Sequence, residues 1–429
     1  MEWLGVQSVQ SPTTSPQSDD GTSHLTPGVI RLLAASAGLT VANIYYNQSL
    51  LPQIGKEFHA LPSATGSLAA ATQMGYASGL LCLVPLGDTV ERRGLLVLTT
   101  LGTAIFMLGI AFAPTLHLAI FSSYLVGLIG VTPILAVAYA AGYAPPGLRG
   151  RIVGTVMSGL LVGILFSRSI AGFFGAWLGW RAVFELGAGV TLLTGLLLFV
   201  YLPRLPHHRE RLSYFQLLAS LPPLFIREPA LRRPALMGAL GFAAFSVFWT
   251  TLAFYLADRP EHYGGTMVGL FGLVAIAGAV VAPFAGHYSD RLGARTVNGL
   301  ALAVMVVSFC IMGWADRSLV WLALGVFAMD AGVQANHISN QTRIMSLTPS
   351  LRNRITSVYM VSYFAGGAAG SVLGAYAWVL WHWQGVWMTG AILSAIGLVV
   401  LFTRSKQEGP QFLNSQQQPG KYDRAQTET

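Results

Sequence analysis

Charge is what this chain has least of. Asp, Glu, Lys and Arg together make up 10% of its 429 residues, and 53% are hydrophobic. A soluble domain carries about 25% charged residues. So little polar sequence cannot wrap a body of this size in water, so most of the surface must face hydrocarbon. Cysteine is almost missing too. Its two copies, Cys82 and Cys310, lie inside apolar runs, which argues against a disulfide framework or a thiolate metal site and reads as two small buried hydrophobes.

Other absences narrow the function. No phosphate loop, metal-ligand cluster or nucleophile–base motif stands outside the apolar runs, so no enzyme is expected and no cofactor or metal is implied. The net charge is +8, a balance that can mean nucleic acid. Here the basic residues sit in short loops with no basic helix or aromatic–basic face, which excludes nucleic-acid binding. Residues 1–28 are polar and lack the basic start and short apolar core of a signal peptide. They read as a disordered tail, as do 404–429.

What is present is a series of long apolar runs. A membrane-crossing helix needs roughly 20 apolar residues to traverse ~30 Å of hydrocarbon. That rule places spans one to twelve at about 29–51, 64–86, 95–113, 118–141, 152–175, 182–202, 235–257, 265–285, 296–314, 319–341, 355–379 and 387–403. An even number puts both chain ends on one side. Twenty of the 25 Lys and Arg fall on that side, four (Lys56, Arg181, Arg259, Arg317) on the other, and Arg168 inside a span. By the positive-inside rule both termini and the 203–234 connection are cytoplasmic, in a plasma or cell inner membrane. Within 203–234, residues 212–226 suit an amphipathic helix on the membrane surface. The 48 glycines suit close helix approach, where lipid supplies no hydrophobic drive between helices.

The sequence also repeats itself. Gly87-x3-Glu91-Arg92-x-Gly94 follows span two, and Gly286-x3-Asp290-Arg291-x-Gly293 follows span eight, all at an offset of 199. Arg149, Arg151, Met157 and Gly163 at span five match Arg352, Arg354, Met360 and Gly366 at span eleven, all at an offset of 203. The expected fold is therefore all-α, with a six-helix bundle over 29–202, a linker over 203–234 and a second bundle over 235–403.

This duplication, with its acid–Arg–x–Gly loops, resembles the major facilitator superfamily across about 29–403. The resemblance implies two bundles that rock about a central site, with Asp88, Arg92, Asp290 and Arg291 pinning helices in the loops that control the switch. The stretch Asn43 to Pro52, with Ser339-Asn340-Gln341-x-Arg343 and Arg352-x-Arg354, is similar to the twelve-span drug/proton antiporter branch. The chain departs from that branch at Ser123, where an Arg stands four residues before the glycine (here Gly127), and in span five, which has no proline and carries Arg168.

Ionisable groups inside a membrane are costly and mark function. Arg168 and Glu185 lie at similar depth, ~24 Å beyond Ile152 and ~6 Å below Arg181, which allows an ion pair between spans five and six or an anion-binding arginine. Asp330 is ~16 Å below Leu319, close to the midplane, and Gln334, His337 and Gln341 continue its helix face. Asp330 is read as the proton-coupling site and His337 as a relay toward the cytoplasm. Asn43, Tyr46 and Asn47 of span one and Trp249 and Thr250 of span seven, the latter at the 203 offset from Tyr46 and Asn47, are candidates for substrate binding, joined by Gln334 and Tyr363. The expected activity is proton-coupled efflux of a small organic molecule by a monomer in the lipid bilayer. The alternative is uptake or exchange of an organic anion with Arg168 as counter-charge. A non-transporting receptor would need a larger cytoplasmic domain than the tails and linker provide.

Overall fold

A computed structural model describes residues 25–145, 147–204, 214–279, 282–345 and 352–403. Every regular element among the described residues is helical. Among the described residues ten helices are long and apolar enough to cross a membrane. The longest, Arg352–Phe402, leaves helical geometry at Trp381 and His382. Its first part runs alongside span seven, with Gly366, Gly370 and Gly374 against Ala239, Ala243 and Val247. Its second part returns antiparallel to span nine, from Trp383 on the Met312 carbonyl to Gly397 beside Leu302. It therefore supplies spans eleven and twelve. Helices Gly265–Ala279 and Ala282–Leu292 together form span eight.

The other spans are one (Pro27–Ala42 and Tyr46–Glu57), two (Pro62–Cys82), three (Arg92–Ala111), four (Leu116–Ile129 and Thr132–Tyr143), five (Arg149–Leu178) and six (Trp180–Tyr201). Span seven is Pro229–Asp258, span nine Ala294–Met312 and span ten Leu319–Met345. Local sequence sets several ends. Thr26 and Thr115 accept hydrogen bonds from the amides of Val29 and Leu118, and Pro27, Pro62 and Pro133 stand in first turns, where a missing N–H costs nothing. Spans one and four are each broken midway, at 43–45 and 130–131.

Span five packs on span one, span four on two, and six on three; eleven packs on seven, ten on eight, and twelve on nine. Each pairing recurs six spans later, as the internal repeat requires. Small residues make the closest approaches. A Cβ on Gly159 or Gly163 would strike the backbone of Ala34 or Gly38, and one on Gly366 or Gly370 that of Ala239 or Ala243. Dispersion contacts of this kind substitute for the hydrophobic drive that lipid removes.

The two sets of six meet along spans two and eleven and along spans five and eight. On the side away from the chain ends, Gly66 abuts Ala375 and Gly172 abuts Gly265, while Ser169 Oγ donates to the Gly269 carbonyl at 2.8 Å. Deeper, Gln73 donates to Ser371 Oγ at 3.0 Å and accepts from Ser246 Oγ at 3.2 Å. The rings of Tyr76 and Phe364 meet edge-on at 4.5 Å.

A helix at Tyr214–Arg227 bridges spans six and seven. Phe215 and Ile226 are exposed on it, and the Tyr214 hydroxyl donates to the Cys82 carbonyl at 2.9 Å. A helix was expected over 212–226, of which 212 and 213 lie outside the described residues. Span seven starts at Pro229, a turn and a half earlier than its hydropathy indicates. The cysteines differ from expectation: Cys82 is half-buried and Cys310 exposed. An apolar run in a membrane presents some of its residues to lipid, so apolar surroundings in sequence do not imply burial in protein.

Candidate substrate site

The site is organised around Arg168. Its side chain is only 3% exposed. Its guanidinium carbon lies 4.3 Å from the ring centre of Trp249, 4.8 Å from Tyr45 and 5.1 Å from Phe245. Rings at such distances stabilise a desolvated cation through their quadrupoles. Nε donates to Gln48 Oε1 at 3.0 Å. One terminal nitrogen has no hydrogen-bond partner, and neither has the neighbouring Trp249 Nε1. Spans one and five supply Tyr45, Gln48 and Arg168, and span seven supplies Phe245 and Trp249, so the cluster straddles the meeting of the two sets of six.

The expected Arg168–Glu185 ion pair is not formed. Glu185 is exposed, while Arg168 turns toward span seven. One residue turns a helix by ~100°, and on span six it is Phe184 that points inward.

Span one also needs correction. A continuous helix would put Asn43, Tyr46 and Asn47 on one face, but the break at 43–45 resets the rotation. Asn43 donates to Thr191 of span six at 2.9 Å, and Asn47 to Thr72 of span two at 2.8 Å. The Tyr46 ring lies against Gly187. All three hold the first six spans together, and Tyr45 and Gln48 meet Arg168 in their place. Thr250 donates to Ser371 Oγ at 3.0 Å and lies beside Gly66, in the seam between the two sets.

Asp330 is 6% exposed, and its Oδ2 has no partner. Its Cβ packs close to Gly278 of span eight. Gln334, the next residue on that helix face, is half-buried. One turn further, His337 Nδ1 is 3.0 Å from the Tyr359 hydroxyl and Nε2 is 3.0 Å from Gln341 Nε2. An amide nitrogen donates, so Nε2 accepts and Nδ1 carries the ring proton. The His337 ring also meets Tyr363 at a tilt, 4.6 Å between centres, and Tyr363 lies flat on Phe242 at 4.1 Å. Asp330 and His337 are seven residues apart, ~10 Å along the helix, so they share a face without touching.

In the loop after span two, Arg92 donates to the Gly87 carbonyl at 3.1 Å and to the Ala138 carbonyl of span four at 3.4 Å. Gly142 leaves room for it. Arg291 is exposed. The side chains of Asp88 and Asp290 lie outside the described residues.

Sequence reasoning missed Tyr45, Gln48 and Phe245. One signal was present: Phe245 and Trp249 are spaced i, i+4 on span seven, so two rings share one helix face that a buried arginine can meet.

Twelve crossings in two like sets, with charged groups buried where the sets meet, define a membrane carrier of the alternating-access type. The Major Facilitator Superfamily model matches residues 33–281 and 260–424, and the chain belongs to that family. It is 42% identical over 377 residues to the transporter YgaY of Escherichia coli K12, covering 88% of this chain and 95% of that one. It is 38% identical to the transporter SCO4007 of Streptomyces coelicolor, covering 88% and 89%. Among solved structures, the nucleoside transporter NupG superposes with a TM-score of 0.70 at 12% identity, covering 87% of this chain and 100% of that one. The protein is thus a multi-pass secondary transporter, not an enzyme.

Proposed function

We propose that the protein carries a small organic anion across the membrane, with Arg168 as the counter-charge and Asp330 as the group that couples transport to protons. The carrying observation is the guanidinium itself: buried, boxed by three rings, unpaired with Glu185 and left with a terminal nitrogen unpartnered. A fixed ion pair would satisfy that charge permanently; an unsatisfied one is suited to a transient partner. This favours the anion reading over export of neutral or cationic drugs. Asp330 is a buried acid from the second set of six, with His337, Gln341 and Tyr359 linked below it toward the chain ends.

The charge bias of the loops places both termini in the cytoplasm. The halves then touch on the outer side through Gly66–Ala375 and Gly172–Gly265, which closes the site to the outside. Arg92 holds spans two, three and four as one rigid unit during the switch, and the 29–202 and 235–403 bundles are the moving bodies. The carrier works as a monomer.

The test is uptake of a radiolabelled panel of organic acids, amines and neutral compounds into proteoliposomes, with and without an imposed pH gradient. An acid should be transported, R168Q should abolish its transport, and D330N should transport it without responding to the gradient. Transport confined to amines or neutral compounds, and kept by R168Q, would refute the reading.

A further inference from the structure

Arg168 and Asp330 come from different halves and meet a common neighbour. A methyl group added to Gly272 of span eight would sit 3.4 Å from the Arg168 Cβ, and one added to Gly278 would sit 2.9 Å from the Asp330 Cβ. Six residues of helix separate those glycines, ~9 Å along the axis. The two side chains therefore start beside the same helix, less than two turns apart along its axis and about 120° apart around it, and each lies within electrostatic reach of the other. They nevertheless form no ion pair. One guanidinium nitrogen and one carboxylate oxygen, both buried, stay without partners.

Two opposite charges, each desolvated and each short of one partner, make an unusual pair. Direct contact between them would satisfy both. Held apart, they present a donor edge and an acceptor edge to whatever lies between. An anion alone would satisfy Arg168 and leave Asp330 either unpaired or dependent on a proton. A molecule bearing a carboxylate and an amino group would satisfy both at once.

We infer that the transported anion is a zwitterion, an amino acid or a close relative, with its carboxylate on the terminal nitrogen of Arg168 and its ammonium group on Oδ2 of Asp330. Trp249 and Tyr45, which already face Arg168, supply apolar surface beside it, which suits an aromatic or aliphatic side chain. Substrate ammonium and proton then occupy the same carboxylate in turn. The inference rests on the anion reading above and narrows it.

The experiment compares matched probes on the purified full chain. Amino acids with small, aliphatic and aromatic side chains are each set against the acid lacking the amino group and the amine lacking the carboxylate, for example phenylalanine, 3-phenylpropionate and phenethylamine. Affinity is read by isothermal titration in detergent and by competition in proteoliposomes. At least one amino acid should bind about tenfold or more tighter than its acid, the effect of one charge-assisted hydrogen bond. D330N should erase that advantage while keeping acid binding, and R168Q should weaken acid and amino acid alike. Acids that bind through Arg168 as tightly as every matched amino acid would overturn the zwitterion and leave the anion reading standing. Amines that bind as tightly as amino acids, unaffected by R168Q, would overturn both. The wild-type comparison decides the matter alone, so a variant that fails to fold does not obscure it.

Discussion

Spans two and four in the first half pack as spans eight and ten do in the second, down to individual atoms. Gly75 lies against the Tyr124 carbonyl and the Leu128 amide; Gly278 lies against the Phe327 carbonyl and the Ala331 amide. All three positions are related by the offset of 203. The halves differ in charge at one residue of this contact. Gly127 in the first half becomes Asp330 in the second. The reverse exchange occurs on span five, where Arg168 corresponds at the same offset to Ser371, a residue used for hydrogen bonds to Gln73 and Thr250. Each half thus contributes one charge where its twin keeps a small residue. In the proposed mechanism the shared scaffold supplies the symmetric motion, and the two exceptions supply the site.

That comparison can be broken by making the halves more alike. R168S gives span five the residue of span eleven. It should leave folding intact and reduce transport at least ~100-fold, since a charged hydrogen bond and several cation–π contacts vanish together. Uptake into proteoliposomes, with size-exclusion profiles as the folding control, checks both parts. D330G gives span ten the residue of span four. Because the scaffold already accommodates glycine at that contact, the variant should fold, bind acids and lose the response to a pH gradient. Intact gradient-driven uptake by D330G would remove Asp330 from the mechanism.

The scaffold can be tested separately. G163V and G366V are equivalent positions at which a side chain runs into the backbone of Gly38 or Ala239. Each should destabilise the protein by about 1–3 kcal/mol, and by similar amounts, seen as matched falls in melting temperature in detergent. Unequal falls would mean that the two bundles are packed less alike than their contacts indicate. The smallest effect belongs to Q73A, which removes bonds to Ser371 and Ser246 across the seam. A loss of about 1 kcal/mol should shift the balance toward the outward-open form roughly fivefold. Labelling of a cysteine placed at Ala375 from the outside should then speed up.

The fold was legible because its signals are long-range and redundant. A run of roughly 20 apolar residues has few alternatives, and the loop motifs at Arg92 and Arg291 marked the same place in both halves. The site was legible only in part. Hydropathy gives depth but not rotation, so the sequence left open whether Arg168 pairs with Glu185 or meets an anion, and the structure shows no such pair. The unwinding at 43–45 carries no proline or glycine, and without it Tyr45 and Gln48 sit on the opposite face from the one they occupy. The burial of Asp330 was legible because span ten is unbroken around it, and a polar stripe on a straight helix keeps its face.

The central claim is that Asp330 stands open to the transported molecule, opposite Arg168. Labelling by a membrane-permeant carbodiimide, which attacks protonated carboxyl groups, tests it most directly with mass spectrometry of the Asp330 peptide. The account expects modification of Asp330 in the free protein and protection by whichever acid or amino acid is transported, with protection lost in R168Q. Modification at the same rate with and without saturating substrate would contradict it.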